Sequence, residues 1–237
     1  MSLHEQHIAI VDKAAEYADV EGLAPGTGLA PGTGLRILVP SGVYHPHEWS
    51  STRFLLAALP DVEGLDVLEI GGGSGALALA IKQRGAAKVV ATDISDKACA
   101  AMECNALLNN LEIDVRQGDL FSPLYPDERF DLVIFNLPLM DKPIVHPAEV
   151  ALCDPSGELL ARFLQGLPAV VSPDGAALFT HADISAPLPL GVPGQIRVVA
   201  EMRRSCGRQP CGRQPCDGRE GDHAGPETFR VLWWRRS

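Results

Sequence analysis

The sequence predicts an α/β protein built on a Rossmann-like, doubly wound sheet of seven strands, mostly parallel, with an antiparallel strand near the C-terminus. Three observations predict it. Asp66-Val67-Leu68-Glu69-Ile70 is a short apolar run that opens directly into Gly71-Gly72-Gly73-Ser74-Gly75 and then into a helix-forming stretch, Ala76 to Arg84. That order is the strand, tight turn and helix N-terminus of a nucleotide-binding unit. From Asp66 onward, strand-length apolar runs alternate with helix-length segments, as in a parallel sheet covered on both faces. Between the last two strands there is no helix-forming segment, so they are expected to pair as a hairpin, which reverses one of them.

The elements follow in order. His7 to Val20 carries Ile8, Val11, Ala14, Ala15 and Ala18 at helical spacing and predicts a helix. Leu35–Val39 is a short strand candidate, Val43–His47 a loop, and Glu48–Leu59 a helix ended by Pro60. The sheet is expected from Val67–Ile70, Lys88–Thr92, Ile113–Gln117, Phe130–Asn136, Ala176–His181, Ile196–Met202 and Phe229–Trp234. The helices Ser95–Asn109 and Glu158–Val170 complete the alternation. Trp49, Trp233 and Trp234 are expected to pack in the core.

Composition narrows the function classes. The chain has 237 residues, 46% hydrophobic, enough for one domain with a small appendage, and a net charge of −10. An acidic surface repels phosphate backbones and anionic lipid, so nucleic-acid partners are disfavoured and no membrane association is expected. No apolar run has the length of a membrane span, and Met1–Val20 lacks the basic head and apolar core of a signal peptide. A cytoplasmic protein is expected, and the Gly/Ala/Pro/Arg-rich composition fits a GC-rich bacterial genome.

The six cysteines do not form a disulfide scaffold pattern. Cys206, Cys211 and Cys216 owe their regular spacing to a tandem repeat, Cys206–Pro210 copied as Cys211–Pro215, and lack the paired form of a zinc site, so no metal is assigned. A second duplication, Gly22–Thr27 copied as Gly28–Thr33, is expected to be a loop.

The glycine turn alone admits two ligands. Gly71-x-Gly73-x-x-Ala76 satisfies a dinucleotide fingerprint, and Gly71-x-Gly73-x-Gly75 satisfies the turn that binds S-adenosylmethionine (SAM). Asp93, 22 residues after Gly71, ends the second strand, where a carboxylate can accept both hydroxyls of a ribose in either ligand. Three later features favour SAM. Asp119-Leu120 follows the third strand, where a carboxylate can meet the exocyclic amine of adenine. Asn136-Leu137-Pro138-Leu139 puts a polar residue on a proline-stiffened loop at the mouth of the crevice. Little chain remains for the second domain of a dehydrogenase.

Glu69–Gly75, Asp93, Gly118-Asp119-Leu120 and Phe130–Val133 resemble, in order, the motifs of class I SAM-dependent methyltransferases. The finer resemblance is to the HemK-like branch, which includes release-factor glutamine methyltransferases and the small-domain nucleic-acid methyltransferases. Val39–Pro46 with Ser51-Thr52, and Ala151–Gly157, extend it over roughly Leu35 to Trp234. The resemblance implies SAM as cofactor and S-adenosylhomocysteine as product. Glu69, Gly71, Gly73 and Gly75 would place the methionine part, Asp93 and Ile94 the ribose, and Asp119 and Leu120 the adenine. Thr52 and Asn136 would also bound the cofactor, and Asn136 with Pro138 would frame the acceptor. Residues 1–59 would form a lid that recognises substrate, and residues 60–237 the SAM-binding domain.

One departure matters. The branch carries Asn-Pro-Pro-Tyr or Asn-Pro-Pro-Phe where this chain has Asn136-Leu137-Pro138-Leu139, so the aromatic ring that stacks on a planar amino group is missing. A small-molecule (biosynthetic) or protein side-chain acceptor therefore leads, and a nucleic-acid base is the alternative. An NAD-binding oxidoreductase and a SAM-binding protein without catalysis are the rivals from other classes. For an acceptor that needs a general base, His146 and His181 are the candidates, with a solvated or simply hydrogen-bonded histidine as the competing reading of each. His45 and His47 could contact SAM or substrate, and His4, His7 and His223 read as surface residues.

Overall fold

The computed structural model describes residues 16–19, 34–44, 46, 50–204 and 227–236. The elements are β1 (Glu16–Asp19), β2 (Arg36–Val39), α1 (Ser51–Ala57), β3 (Asp66–Ile70), α2 (Ala76–Gln83), β4 (Lys88–Asp93), α3 (Asp96–Leu108) and β5 (Asp114–Gln117), followed by β6 (Phe130–Phe135), α4 (Glu158–Val170), β7 (Val171–Ala182), β8 (Gln195–Arg204) and β9 (Glu227–Arg235). Seven strands form one sheet in the order β5-β4-β3-β6-β7-β9-β8, and β1 pairs with β2 in a separate antiparallel ribbon. The pairs β3/β4, β4/β5, β3/β6 and β6/β7 are parallel, whereas β9 runs antiparallel to both β7 and β8. The reversed strand anticipated near the C-terminus is β9.

Strand alternation divides the core in two. Val67, Val89, Ala91, Leu132 and Ile134 face the helices α1, α2 and α3, while their neighbours Leu68, Ile70, Val90, Val133 and Phe135 face α4. This is the period of two expected for strands buried on both faces. Helix α2 is buried from Ala76 to Ile81. Its apolar surface all round is explained by its place between the sheet and α1. On the other face, Phe163 of α4 is fully buried among aromatic rings, 5.9 Å from Phe121, 5.2 Å from Phe135 and 5.6 Å from Phe179. Trp234 is also fully buried, and its indole N–H donates to the Pro193 carbonyl.

The helix expected over His7–Val20 is replaced at Glu16–Asp19 by β1, which pairs with β2 from Glu16↔Val39 to Asp19↔Arg36. Pairing with an available strand edge overrides a weak helical pattern. The rest of that segment, the duplicated Gly/Pro stretch, Trp49, the histidines 4, 7, 45, 47 and 223, and the cysteines 206, 211 and 216 lie outside the described residues.

The opposite edge of β2 is held by two side chains of α3. Asn105 accepts the Leu38 N–H and donates to the Leu38 carbonyl, each at 2.8 Å, and Asn109 does the same for Arg36 at 2.9 Å. Residues four apart on a helix advance about 6 Å and residues two apart on a strand about 6.6 Å, so the amides act as a makeshift strand. Asn105 also donates to the Ser74 carbonyl at 2.8 Å, which ties β2 to the glycine turn. Because Asn105 is fully buried, Asn105→Ala leaves three backbone groups unpaired. The variant is expected to lose about 2–4 kcal/mol in urea unfolding, several times the loss from Asn109→Ala at the exposed end.

Candidate active site

The sheet's strand order reverses at β3, since the chain runs outward to β4 and β5 and then returns to β6 on the other side. A crevice opens at the carboxyl ends of the strands at such a point. Here it is a cavity of about 650 Å³ whose walls include the turn after β3, the ends of β4 and β5, and the loop after β6.

The turn after β3 works by close packing. Gly71 and Gly73 have φ of 64° and 56°, and a Cβ on Gly71 would sit 3.1 Å from the Phe135 ring. A Cβ on Gly72 would sit 2.4 Å from Met102 Sδ, so the backbone itself forms the cavity wall. Asp93 pins this turn. One carboxylate oxygen accepts the Gly73 N–H and the other the Ser95 N–H, both at 2.9 Å. Burial raises the Asp93 pKa, and these backbone donors oppose the rise.

Glu69 lies beside Asp93 and is almost wholly buried, at 2% exposure. It accepts the Ala78 backbone N–H, but its Oε2 has no partner. Burial, opposed by the Ala78 bond and reinforced by Asp93, holds its carboxyl well above the usual carboxylate range.

At the far end, Leu120 adopts a left-handed conformation, φ 48°, and Thr92 donates its hydroxyl to the Leu120 carbonyl at 3.3 Å. Asp119 forms an ion pair with Arg162 of α4. On the side opposite the glycine turn, Asn136 begins the loop after β6. It donates to the Thr52 hydroxyl of α1 at 3.1 Å and accepts from the buried Thr180 hydroxyl at 3.4 Å. The segment beyond it arches over the cavity. Its feet are joined where the Met140 N–H meets the Leu152 carbonyl and the Asp154 N–H meets the Met140 carbonyl, both at 2.9 Å. Buried Glu149 gathers the arch by accepting the Val145 and His146 N–H groups. Asp154, also buried, accepts the Leu159 and Leu160 N–H groups at the start of α4.

Glu69, Gly71, Gly73, Asp93, Ile94, Asp119, Leu120, Thr52, Asn136 and Pro138, singled out in the sequence, all line this one cavity. Gly75 does not. It starts α2 with φ 80°, and a Cβ there would meet Met102 Cγ at 3.0 Å, so it serves helix packing. His146 is exposed on the arch, and neither it nor His181 is a lining residue. His181 Nε2 is 3.0 Å from the Ala186 carbonyl, in a small separate recess behind the Asn136 loop. In this structure neither histidine is placed against the cavity that holds the other singled-out residues. Sequence reasoning missed Arg162, whose partner is 43 residues away, and the apolar residues Met140, Ile144, Val150 and Leu152 of the arch. The only signal for the latter was an unusual density of aliphatic residues in a loop.

This fold and this cavity define a class, the SAM-binding methyltransferases of Rossmann-like architecture. The comparisons specify it further. The profile of the family described as "Methyltransferase small domain" matches residues 34–152, and the chain belongs to that family. A Methanocaldococcus jannaschii protein named as a putative protein N5-glutamine methyltransferase is 33% identical over 149 residues, which cover 60% of this chain and 74% of that protein. The ribosomal protein L11 methyltransferase of Caldicellulosiruptor saccharolyticus is 47% identical over 74 residues, 31% of this chain. That match spans about a quarter (24%) of the relative's own length. The fold resembles that of a Thermus thermophilus 16S rRNA N2 G1207 methyltransferase solved with AdoMet and guanosine, with a TM-score of 0.64 at 19% identity over 94% of this chain and 50% of that one. The chain thus groups with the class I SAM-dependent methyltransferases of the HemK-like kind.

The cavity suits the cofactor. An orphaned, buried carboxyl oxygen on Glu69 can meet an ammonium group, and the turn from Gly71 to Gly73 offers backbone without side chains. Because the folded-state pKa of Glu69 is raised, the folded protein binds more protons than the unfolded chain as pH rises past the ordinary glutamate value. Stability must then fall with pH between that value, about 4.3, and the raised one. Glu69→Gln removes this loss. The ligand-free variant is expected to melt at a higher temperature than the parent at neutral pH, and the gain should shrink toward about pH 4 in calorimetric scans.

Proposed function

We propose that the chain transfers the methyl group of SAM to an uncharged acceptor, on a protein side chain or a small molecule, with Asn136 as the residue that orients it. The observation that carries this reading is Asn136 at the cavity wall, with its amide held between Thr52 and Thr180. An amide oxygen has two lone pairs, so Asn136 can accept an acceptor N–H while keeping its Thr180 bond.

SAM supplies an electrophilic methyl on a sulfonium, and transfer is an in-line displacement. The work left to the chain is alignment and exclusion of water. Glu69 and the turn from Gly71 to Gly73 take the amino-acid end. Asp93 and Ile94 take the ribose, and Asp119 and Leu120 the adenine. Pro138 stiffens the loop that presents Asn136. Met140, Ile144, Val150 and Leu152 give the acceptor side an aliphatic wall. Among the described residues that line the cavity there is no histidine or lysine. Where the acceptor needs a general base, one of the lining carboxylates would have to serve.

Two facts support a protein side chain. The relatives named above are described as methyltransferases of protein glutamine and of ribosomal protein L11. The described lining residues include four carboxylates, those of Asp93, Asp119, Asp154 and Glu158, besides the buried carboxyl of Glu69, against one cation, Arg162. A phosphate backbone would be repelled there. A small aliphatic acceptor is the second reading, favoured by Leu139 where the family has an aromatic ring and by the apolar arch. The described part of residues 1–59 acts as the lid in either case, through Thr52 of α1, which contacts Asn136 directly. A cytoplasmic location goes with such substrates.

The test is transfer of labelled methyl from SAM to protein, RNA and low-mass fractions of a cell extract. Label in the protein or low-mass fraction is expected, and label in RNA alone would overturn the reading. Two variants separate the roles. Asp93→Ala is expected to weaken SAM binding at least about tenfold, through loss of two charge-assisted hydrogen bonds. Asn136→Ala is expected to lower kcat about 10- to 100-fold, with a much smaller effect on SAM affinity measured by titration calorimetry.

A further inference from the structure

We infer that Glu69 selects for a ligand that carries a cation by giving up its own proton when that ligand binds. The inference rests on the SAM reading above and concerns how the amino-acid end of the cavity recognises its occupant.

The geometry is that of a carboxyl group kept out of water and left incomplete. Glu69 projects from the last turn of β3 into the cavity wall, 2% exposed, with one hydrogen bond from the Ala78 N–H and an Oε2 that has no partner. Among the described residues, no cation is placed to neutralise it by the elements packed around it. On β4 the facing titratable group is Asp93, a second carboxylate. The strand paired on the other side, β6, presents Ile134 opposite Glu69, and the first turns of α2 are apolar from Ala76 to Ile81. The lone basic residue on α2, Lys82, donates to the Ala86 and Ala87 carbonyls. Elsewhere in the described lining, Asp119, Asp154 and Glu158 are acidic, and the one cation, Arg162, is paired with Asp119.

A buried carboxyl beside a second carboxylate, with one donor and no cation, is held in its neutral form. The same surroundings make an incoming ammonium group the missing partner. Its arrival removes the reason for the proton to stay. The O–H bond of Glu69 breaks, the electron pair remains on the carboxylate, and the proton passes to the buffer. The ligand's own ammonium keeps its protons, so the balance is one proton released per Glu69 ionised. A ligand with the same adenine and ribose but no ammonium would leave the Glu69 proton in place. The site thereby distinguishes the two by the charge state of a single buried group.

The experiment is titration calorimetry of the full chain with SAM in buffers of different ionisation heat. It would run at several values between about pH 5.5 and about pH 7.5, above the ordinary carboxylate range and below the ordinary α-amino range. Heat that varies with the buffer counts the protons exchanged. The expected result is net proton release. The dissociation constant for SAM should fall by up to about tenfold per pH unit where release is fullest. Glu69→Gln should abolish the release. The parent protein titrated with 5′-deoxy-5′-methylthioadenosine, which lacks the amino-acid group, should show none, and that arm does not depend on the variant folding. SAM binding with no proton exchange across the range would overturn this inference alone and leave the cofactor reading standing. So would an undiminished release from Glu69→Gln, or release by the truncated ligand. Failure of SAM to bind at all would overturn the cofactor reading and this inference with it.

Discussion

The reversal of strand order at β3 is the constraint on which the rest of this structure depends. Parallel strands require crossovers, and when successive crossovers leave in opposite directions the loops at the strand ends must part. Here the parting separates the turn after β3, with the ends of β4 and β5 beyond it, from the loop after β6, and the groups proposed to bind ligand stand along these two sides. The aromatic residue Phe135 couples the two sides to the core. It ends β6, packs edge-on against Phe163 of α4 and lies directly beneath Gly71. The turn cannot sink without displacing a ring in the second hydrophobic layer. It cannot shift sideways without breaking the Asp93–Gly73 bond.

The cavity has two chemically different halves, and their difference follows from what surrounds them. The half that faces β3, β4 and β5 is lined by backbone and carboxylates, which suits a ligand with amino, hydroxyl and positively charged groups. The other half is aliphatic and is closed by an arch whose polar needs are met internally by Glu149 and Asp154. Buried acids spent on backbone N–H groups in this way organise the loop, while Glu69, lacking such saturation, remains available to a ligand. The burial of three acids in one region thus has two distinct purposes, separated by counting their hydrogen bonds.

Strand β2 is tied to the core more closely than its sequence suggests. Strand β2 has no place in the main sheet, yet Ile37 is fully buried and both edges of the strand are paired, one with β1 and the other with the side-chain amides of Asn105 and Asn109. Since Asn105 also reaches Ser74, strand β2, helix α3 and the glycine turn share one side chain. The two asparagines occupy helical positions four apart and were invisible as a motif, because such residues on a helix ordinarily face water.

What the sequence determined by itself was the periodicity and the turn chemistry: which runs are strands, where the glycine turn falls, and that acidic residues lie at or just past the ends of β3, β4 and β5. These are local properties, set by side-chain alternation and by steric limits on the backbone, and they sufficed to anticipate the sheet, its reversed strand and a set of residues that line one cavity. The tertiary structure alone decided matters that depend on distant neighbours. Glu16–Asp19 became a strand because β2 offered an edge. Gly75 faced Met102 and not the cavity, and His181 turned toward Ala186 behind the Asn136 loop. Arg162 found Asp119 across the cavity mouth. The state of Glu69 was decided in the same way, because the same carboxyl in water would be an ordinary anion. Its burial by β4, β6 and α2, with no cation beside it among the described residues, is what we propose leaves it waiting for one.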